Sequence, residues 1–318
     1  MPTAGFETQA GPGRSCPASY RYDMQALGRA PSLTVDSLWV AGGLYGNPLA
    51  LAALLDAYDG DAGPKALVFN GDFHWFDVDT EDFAQINRAV LSFRATRGNV
   101  ETELATPTAD AGCGCGYPDW VSNETVEQSN RIMERLRATA QSLSHVLPEL
   151  AALPMQMLVN VGDERVAIVH GDDSSLAGWG FSQEALSTTQ GLAAASEAFE
   201  RTGVQVFASS HTCLPVLKRL SKGRTVVNNG AAGMPNFSGQ RYGLATRIAR
   251  SPWRDALYGA RSGNLFIEAV AVSYDAASWE RRFLAQWPPG SDAYRSYYTR
   301  IVSGPNYAIG QALPPTPC

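Results

Sequence analysis

Short apolar runs and longer amphipathic stretches alternate along most of the chain, with turn residues between them. Residues 38–41 are apolar and end at Gly42-Gly43, the pattern of a buried strand closed by a turn. Asn47-Pro48 then opens LALAALLDAY, which predicts a helix with Asn47 as cap and Pro48 in the first turn. Residues 66–70 (ALVFN) predict a second buried strand, and 81–93 a helix. An irregular stretch containing GCGCGYP follows Gly98-Asn99, and Asn123 is placed to cap a long polar helix over 124–144. Strands fit 157–161, 166–170 and 204–208, with a helix over 183–201 between the last two. LPVLKRL, SKGR and TVVNN read as strand, turn, strand, and NLFIEAVAVSYD with SWERRFLAQW as a terminal strand pair before a Pro-rich tail. The first 20 residues lack periodicity and read as a loose arm. No internal repeat is visible.

Strands alternate with helices early and dominate late, which predicts an α/β fold of mixed sheets flanked by helices. The chain divides into an arm over 1–36, a main domain over 37–286 and a tail over 287–318. The main domain carries a Cys-containing loop and a helical insertion around 105–150. At 318 residues with 45% hydrophobic and 18% charged positions, the chain can bury a core without staples. The net charge of −6 argues against general nucleic-acid binding. No apolar run approaches the length of a membrane span, and the opening residues lack a charged and apolar leader pattern. A cytoplasmic location is therefore expected, with the five cysteines as thiols or metal ligands rather than a disulfide framework. Oligomeric state is not legible.

In layered α/β folds, function gathers beyond the carboxyl ends of strands. Those positions here hold GGLYGN (42–47), Gly71-Asp72, RGNVE (97–101), VHGDD (169–173), SSHTCLP (209–215) and NNGAAGMP (228–235). This ordered series resembles the calcineurin-like metallophosphoesterases over roughly residues 37–285, nearest their small bacterial phosphodiesterase-like branch. There the series reads D-x-H-G-N, G-D, G-N, H-G, G-H-x-H and N-x-G-S. The resemblance implies a four-layer α/β/β/α sandwich with mixed sheets. It also implies hydrolysis of a small-molecule phosphoester, a monoester or a diester, by a metal-activated water.

The residues have their own chemistry. Asp72, Asn99, His170 and His211 offer two oxygens and two imidazole nitrogens, a set suited to Zn, Mn or Fe. By resemblance Asp72 bridges two ions and the other three complete one site. The second site departs from the pattern: Gly43, Tyr45 and Cys213 stand where an aspartate and two histidines belong, and Ser210 replaces a glycine. Catalysis could be lost, could run on one ion, or could use a rebuilt site. Cys113 and Cys115, on a glycine-rich loop, would join Cys213 in a thiolate-bearing site, with Cys16 as a further candidate sulfur. His74 is the expected acid or base, because imidazole titrates near neutrality. Tyr45, Arg97 and Asp77 are expected near substrate, Trp75 and Phe76 could form an aromatic wall, and Asp172 and Asp173 could orient His170. The competing reading is a non-hydrolytic metal- or thiol-dependent protein, or an inactive metal-binding or regulatory protein on the same scaffold.

Overall fold

The computed structural model describes residues 11–22, 27 and 31–313. Two six-stranded mixed sheets pack face to face. The first contains β2 (Ser37–Ala41), β3 (Lys65–Asn70), β4 (Arg94–Thr96), β10 (Gly243–Ala249), β11 (Tyr258–Ser262) and β12 (Leu265–Val272), in the order β11-β12-β10-β2-β3-β4. The second contains β1 (Leu33–Val35), β5 (Gln156–Val161), β6 (Glu164–Val169), β7 (Val206–Ser209), β8 (Pro215–Arg219) and β9 (Thr225–Asn229), in the order β1-β5-β6-β7-β9-β8.

Alternation along each strand builds the layers. In β2, Leu38 and Val40 face the second sheet, while Trp39 and Ala41 face the helices. In β6, Val166 and Ile168 point between the sheets, while Ala167 and Val169 point outward. Strands buried on both faces read as continuous apolar runs, which is why these were legible in the sequence. Helices α1 (Pro48–Asp59), α2 (Thr80–Leu91), α3 (Asn99–Ala105), α4 (Asn123–Ser142), α5 (Leu147–Ala151), α7 (Ala276–Gln286) and α8 (Asp292–Ser303) share the core on the outer face of the first sheet. Helix α6 (Thr189–Thr202) covers the second sheet through Ala195, Ala198 and Phe199. The molecule is thus the expected four-layer α/β/β/α sandwich.

Asn47 caps α1 as its position predicted, its side chain accepting from the N–H groups of Leu49 and Ala50 at 3.1 and 3.0 Å. Such a cap contributes about 1 kcal/mol. Three local readings are corrected. SWERRFLAQW forms α7 rather than a strand: Trp279 and Phe283 are four apart and both buried, the helical period, and Asp275 caps the start. The stretch read as a Pro-rich tail holds α8, whose Ala293 and Ile301 are buried in the core. Part of the supposed loose arm is anchored. Tyr20 is fully buried and donates to Glu103 at 2.7 Å, and Arg14 donates to the carbonyls of Pro118 and Val121. Residues 1–10 lie outside the described residues.

Candidate metal centre

The carboxyl ends of β3, β4, β6 and β7 meet at one edge of the sandwich, and each delivers one polar side chain. Asp72 follows β3 and Gly71, Asn99 opens α3 after β4, His170 follows β6, and His211 follows β7. All four are buried. Close approach of these turns requires glycine. A Cβ on Gly98 would stand 2.2 Å from Asp72 Oδ1, and one on Gly71 would stand 2.6 Å from His170 Nδ1.

Donor atoms converge on His170 Nε2. Asp72 Oδ2 lies 3.3 Å from it, Asn99 Oδ1 3.2 Å and His211 Nδ1 3.3 Å. The far nitrogen of each ring is tied to a backbone carbonyl. His170 Nδ1 donates to Asn70 O at 2.8 Å, and His211 Nε2 to Cys115 O at 2.9 Å. A carbonyl only accepts, so each of those nitrogens carries a proton, and the other ring nitrogen, Nε2 of His170 and Nδ1 of His211, faces inward. Asn99 Nδ2 donates to Cys113 O at 3.0 Å, which aims Oδ1 at the same point.

Electrostatics agree with a cation site. Burial and the neighbouring His170 hold His211 down at about 4, so it is neutral at pH 7. Burial disfavours charge on His170, but the charge of Asp72 and its hydrogen bond outweigh that and raise the imidazole above its ordinary value. Burial would likewise raise Asp72, yet His170, His211 and the Val100 N–H hold it below the usual carboxylate range. Two imidazole nitrogens, a carboxylate oxygen and an amide oxygen facing one another fit a divalent transition metal, which would take the place of the proton His170 otherwise shares with Asp72. Asp72, His170 and His211 can hold such an ion; Asn99 is the adjacent neutral oxygen.

The second site is filled by protein. Tyr45 hydroxyl lies 2.8 Å from Cys213 Sγ, and a Cβ on Gly43 would meet the Tyr45 ring at 2.9 Å. The proposed sulfur cluster is not present: Cys113 and Cys115 form a disulfide with each other, so neither is a thiolate ligand. This corrects the expectation of thiols for Cys113 and Cys115, whereas Cys16 and Cys213 are free. Cys213 stays a free thiol, and burial pushes its pKa up. Cys16 lies 3.0 Å from the Ser175 hydroxyl and does not line the cleft beside the metal group.

His74 and Asp77 are corrected too. They form a fully buried pair at 2.6 Å, with the His74 ring stacked on Phe83 at 3.7 Å, and neither lines the cleft beside the metal group. Arg97 instead donates to Ala151 O at 3.0 Å and also lies off the cleft. Phe76 packs into the core against Phe283, whereas Trp75 does line the cleft. Asp172 accepts from Ser174, Ser175 and Gly180 and Asp173 pairs with Arg201, so Asn70 and Ser210 orient His170 in their place.

Several residues escaped the sequence reading. Tyr117, Trp179, Thr212, Tyr297 and Arg300 line the cleft with Tyr45, Asp72, His211 and Cys213. Glu101 is fully buried and gathers the N–H groups of Gly98, Asp72 and Phe73 at 2.8, 2.8 and 3.0 Å. An acid at the third position of a helix, after a glycine, was its available signal. Tyr45, Asp72 and Cys213 have φ of 54°, 52° and 59°, and the only other described non-glycine residue with positive φ is Lys222. Strain of this kind collects at functional sites.

No family model matches the sequence, and no curated protein does either. Among solved structures, a hypothetical protein from Pyrococcus horikoshii aligns with a TM-score of 0.58 at 14% identity, covering 85% of this chain and 99% of that one. A metallophosphoesterase from Sphaerobacter thermophilus aligns with a TM-score of 0.56 at 15% identity, covering 85% of this chain and 100% of that one. At these identities the likeness is one of fold. The chain has the calcineurin-like metallophosphoesterase fold.

Proposed function

We propose that this protein is a metal-dependent hydrolase of a small-molecule phosphoester. The observation that carries the reading is the convergence of Asp72, Asn99, His170 and His211, with the outer nitrogen of both rings committed to backbone carbonyls. A set of buried, mutually facing acceptors is costly to keep without a cation. When bound, a Zn, Mn or Fe ion supplies Lewis acidity and an activated water. The chain's residues do the rest. Asp72 provides the negative charge that holds the ion, and Asn70, Cys113 and Cys115 carbonyls fix the ligand orientations. Tyr117, Trp179 and Trp75 wall the cleft and exclude water around the ester.

A second reading, a metal-binding protein without hydrolysis, is favoured by one observation: Tyr45 and Cys213 occupy the place of the second ion's ligands. One experiment separates the two. Purified protein is analysed for metal, then assayed with Mn or Zn against p-nitrophenyl phosphate and bis(p-nitrophenyl) phosphate, beside Asp72→Asn. The hydrolase reading expects ester cleavage by wild type and loss of most metal and activity in the variant. Full metal content without cleavage of either ester supports the second reading, and full metal occupancy in Asp72→Asn removes Asp72 as a ligand.

A further inference from the structure

The cleft holds one negative metal-side group, Asp72, and a single basic side chain that no sequence motif marked. Arg300 sits in the last turn of α8, one turn beyond Tyr297, and both line the cleft. It is the only Lys or Arg among the described residues of that lining. Its guanidinium is pinned by two carbonyls, with Nε donating to Pro235 O at 2.8 Å and Nη2 to Cys213 O at 2.7 Å. Among the described residues it forms no ion pair with a carboxylate. A partly buried guanidinium held by neutral acceptors keeps its full charge for something else.

The position of that charge is specific. Arg300 hangs on the carbonyl of Cys213, whose thiol meets the Tyr45 hydroxyl. It therefore stands beside Cys213 and Tyr45, the residues at the positions where metal ligands are missing, in the cleft that Asp72 and His211 also line. A divalent ion held by one carboxylate carries a net charge of about +1. Counting only the groups that line the cleft, the guanidinium adds about +1, giving about +2, and the N–H groups not bonded to Pro235 and Cys213 suit phosphoryl oxygens. A phosphomonoester dianion matches this charge; a diester, with one negative charge, leaves it half compensated.

We propose that Arg300 is the phosphoryl-binding residue of this cleft, supplying from α8 the second positive charge, and that the site is built for phosphomonoesters. This rests on the hydrolase reading for its substrate class, but the anion site can be tested without turnover. Inorganic phosphate is titrated calorimetrically into Mn-loaded wild type, Arg300→Met and Arg300→Lys, with Mn affinity measured in parallel. Loss of a charge-assisted contact should weaken phosphate binding about tenfold to a hundredfold in Arg300→Met. Mn affinity should hold within about threefold, and Arg300→Lys should recover part of the phosphate affinity. With p-nitrophenyl phosphate, Arg300→Met should raise KM by a similar factor, and by much less with the diester.

Equal phosphate affinity in wild type and Arg300→Met overturns the assignment, as does absence of phosphate binding by wild type. A parallel loss of Mn affinity in both variants also overturns it, because Arg300 would then only brace the Cys213 loop. Phosphate binding that depends on Arg300 without ester cleavage keeps the anion site and removes the hydrolase reading. Cleavage with unchanged phosphate affinity in Arg300→Met does the reverse. If Arg300→Met does not fold, the comparison of Arg300→Lys with wild type decides: a change of less than about twofold in phosphate affinity, with the diester preferred, refutes the proposal.

Discussion

Glu101→Gln is the sharpest test of how the metal edge is held together. The Glu101 carboxylate is fully buried and acts only as an acceptor. Oε2 receives the N–H groups of Gly98 and Asp72, both at 2.8 Å, while Oε1 receives that of Phe73 at 3.0 Å and, more weakly, that of His74 at 3.4 Å. It therefore ties the loop after β3 to the loop after β4. Glutamine has the same shape but replaces one oxygen with an amino group. Either orientation turns that donor toward two backbone donors and leaves them without an acceptor. At about 1–3 kcal/mol for each unmade buried bond, the variant should lose roughly 2–6 kcal/mol of stability. Asp72, whose φ of 52° is kept only by its surroundings, should relax away from the histidines. Metal affinity should then fall about tenfold to a hundredfold. Guanidinium unfolding of the metal-free protein and competition with a chelating dye measure the two effects. A stability loss below about 0.5 kcal/mol would refute the reasoning, since that is the scatter of an ordinary surface change.

Two further outcomes are expected. Arg247, 2% exposed, donates to Asp61 at 2.9 and 3.0 Å and to Glu268 at 3.0 Å, so Asp61→Asn should cost about 3–5 kcal/mol in chemical unfolding at neutral pH. Burial opposes ionisation of Asp61, but bonds from Arg247, Ser37 and Trp39 hold its carboxyl at about 2, below the ordinary 3.8. A lowered folded-state pKa means the stabilisation is complete above 3.8 and fades as pH falls toward 2. The gap between wild type and Asp61→Asn should therefore narrow over that interval, and a gap independent of pH would exclude the ion pair as its source. Cys113 and Cys115 matter through their carbonyls, which aim Asn99 and His211. Opening the disulfide with Cys113→Ser/Cys115→Ser should weaken metal binding by about tenfold or more in the dye competition, whereas unchanged affinity would show that the loop holds its carbonyls without the bridge.

The four residues that converge at the sheet edge were legible because a strand buried on both faces reads as an apolar run, and a glycine with a polar residue just after it marks a strand end. Val68-Phe69-Asn70 before Gly71-Asp72, and Val166 to Val169 before His170, carry that signal entirely within a few residues. Topology then does the rest, since parallel strands bring their carboxyl ends to one edge. Residues whose role depends on what packs against them were not legible. His74 has the chemistry of an acid or base, but Phe83 and Asp77 enclose it in the core. Cys113, Cys115 and Cys213 looked like one set of ligands, yet the first two close on each other and the third faces Tyr45. SWERRFLAQW carried both an alternating and a helical pattern, and the fit of Trp279 and Phe283 into the first sheet's core selected the helix. Arg300 lies 87 residues from the Cys213 carbonyl it grips. Local sequence determined which groups stand at the strand ends, because strand pattern and turn chemistry act over a few residues. Only the tertiary structure decided which of them face the cleft, because side-chain environment is set by contacts between segments far apart in the chain.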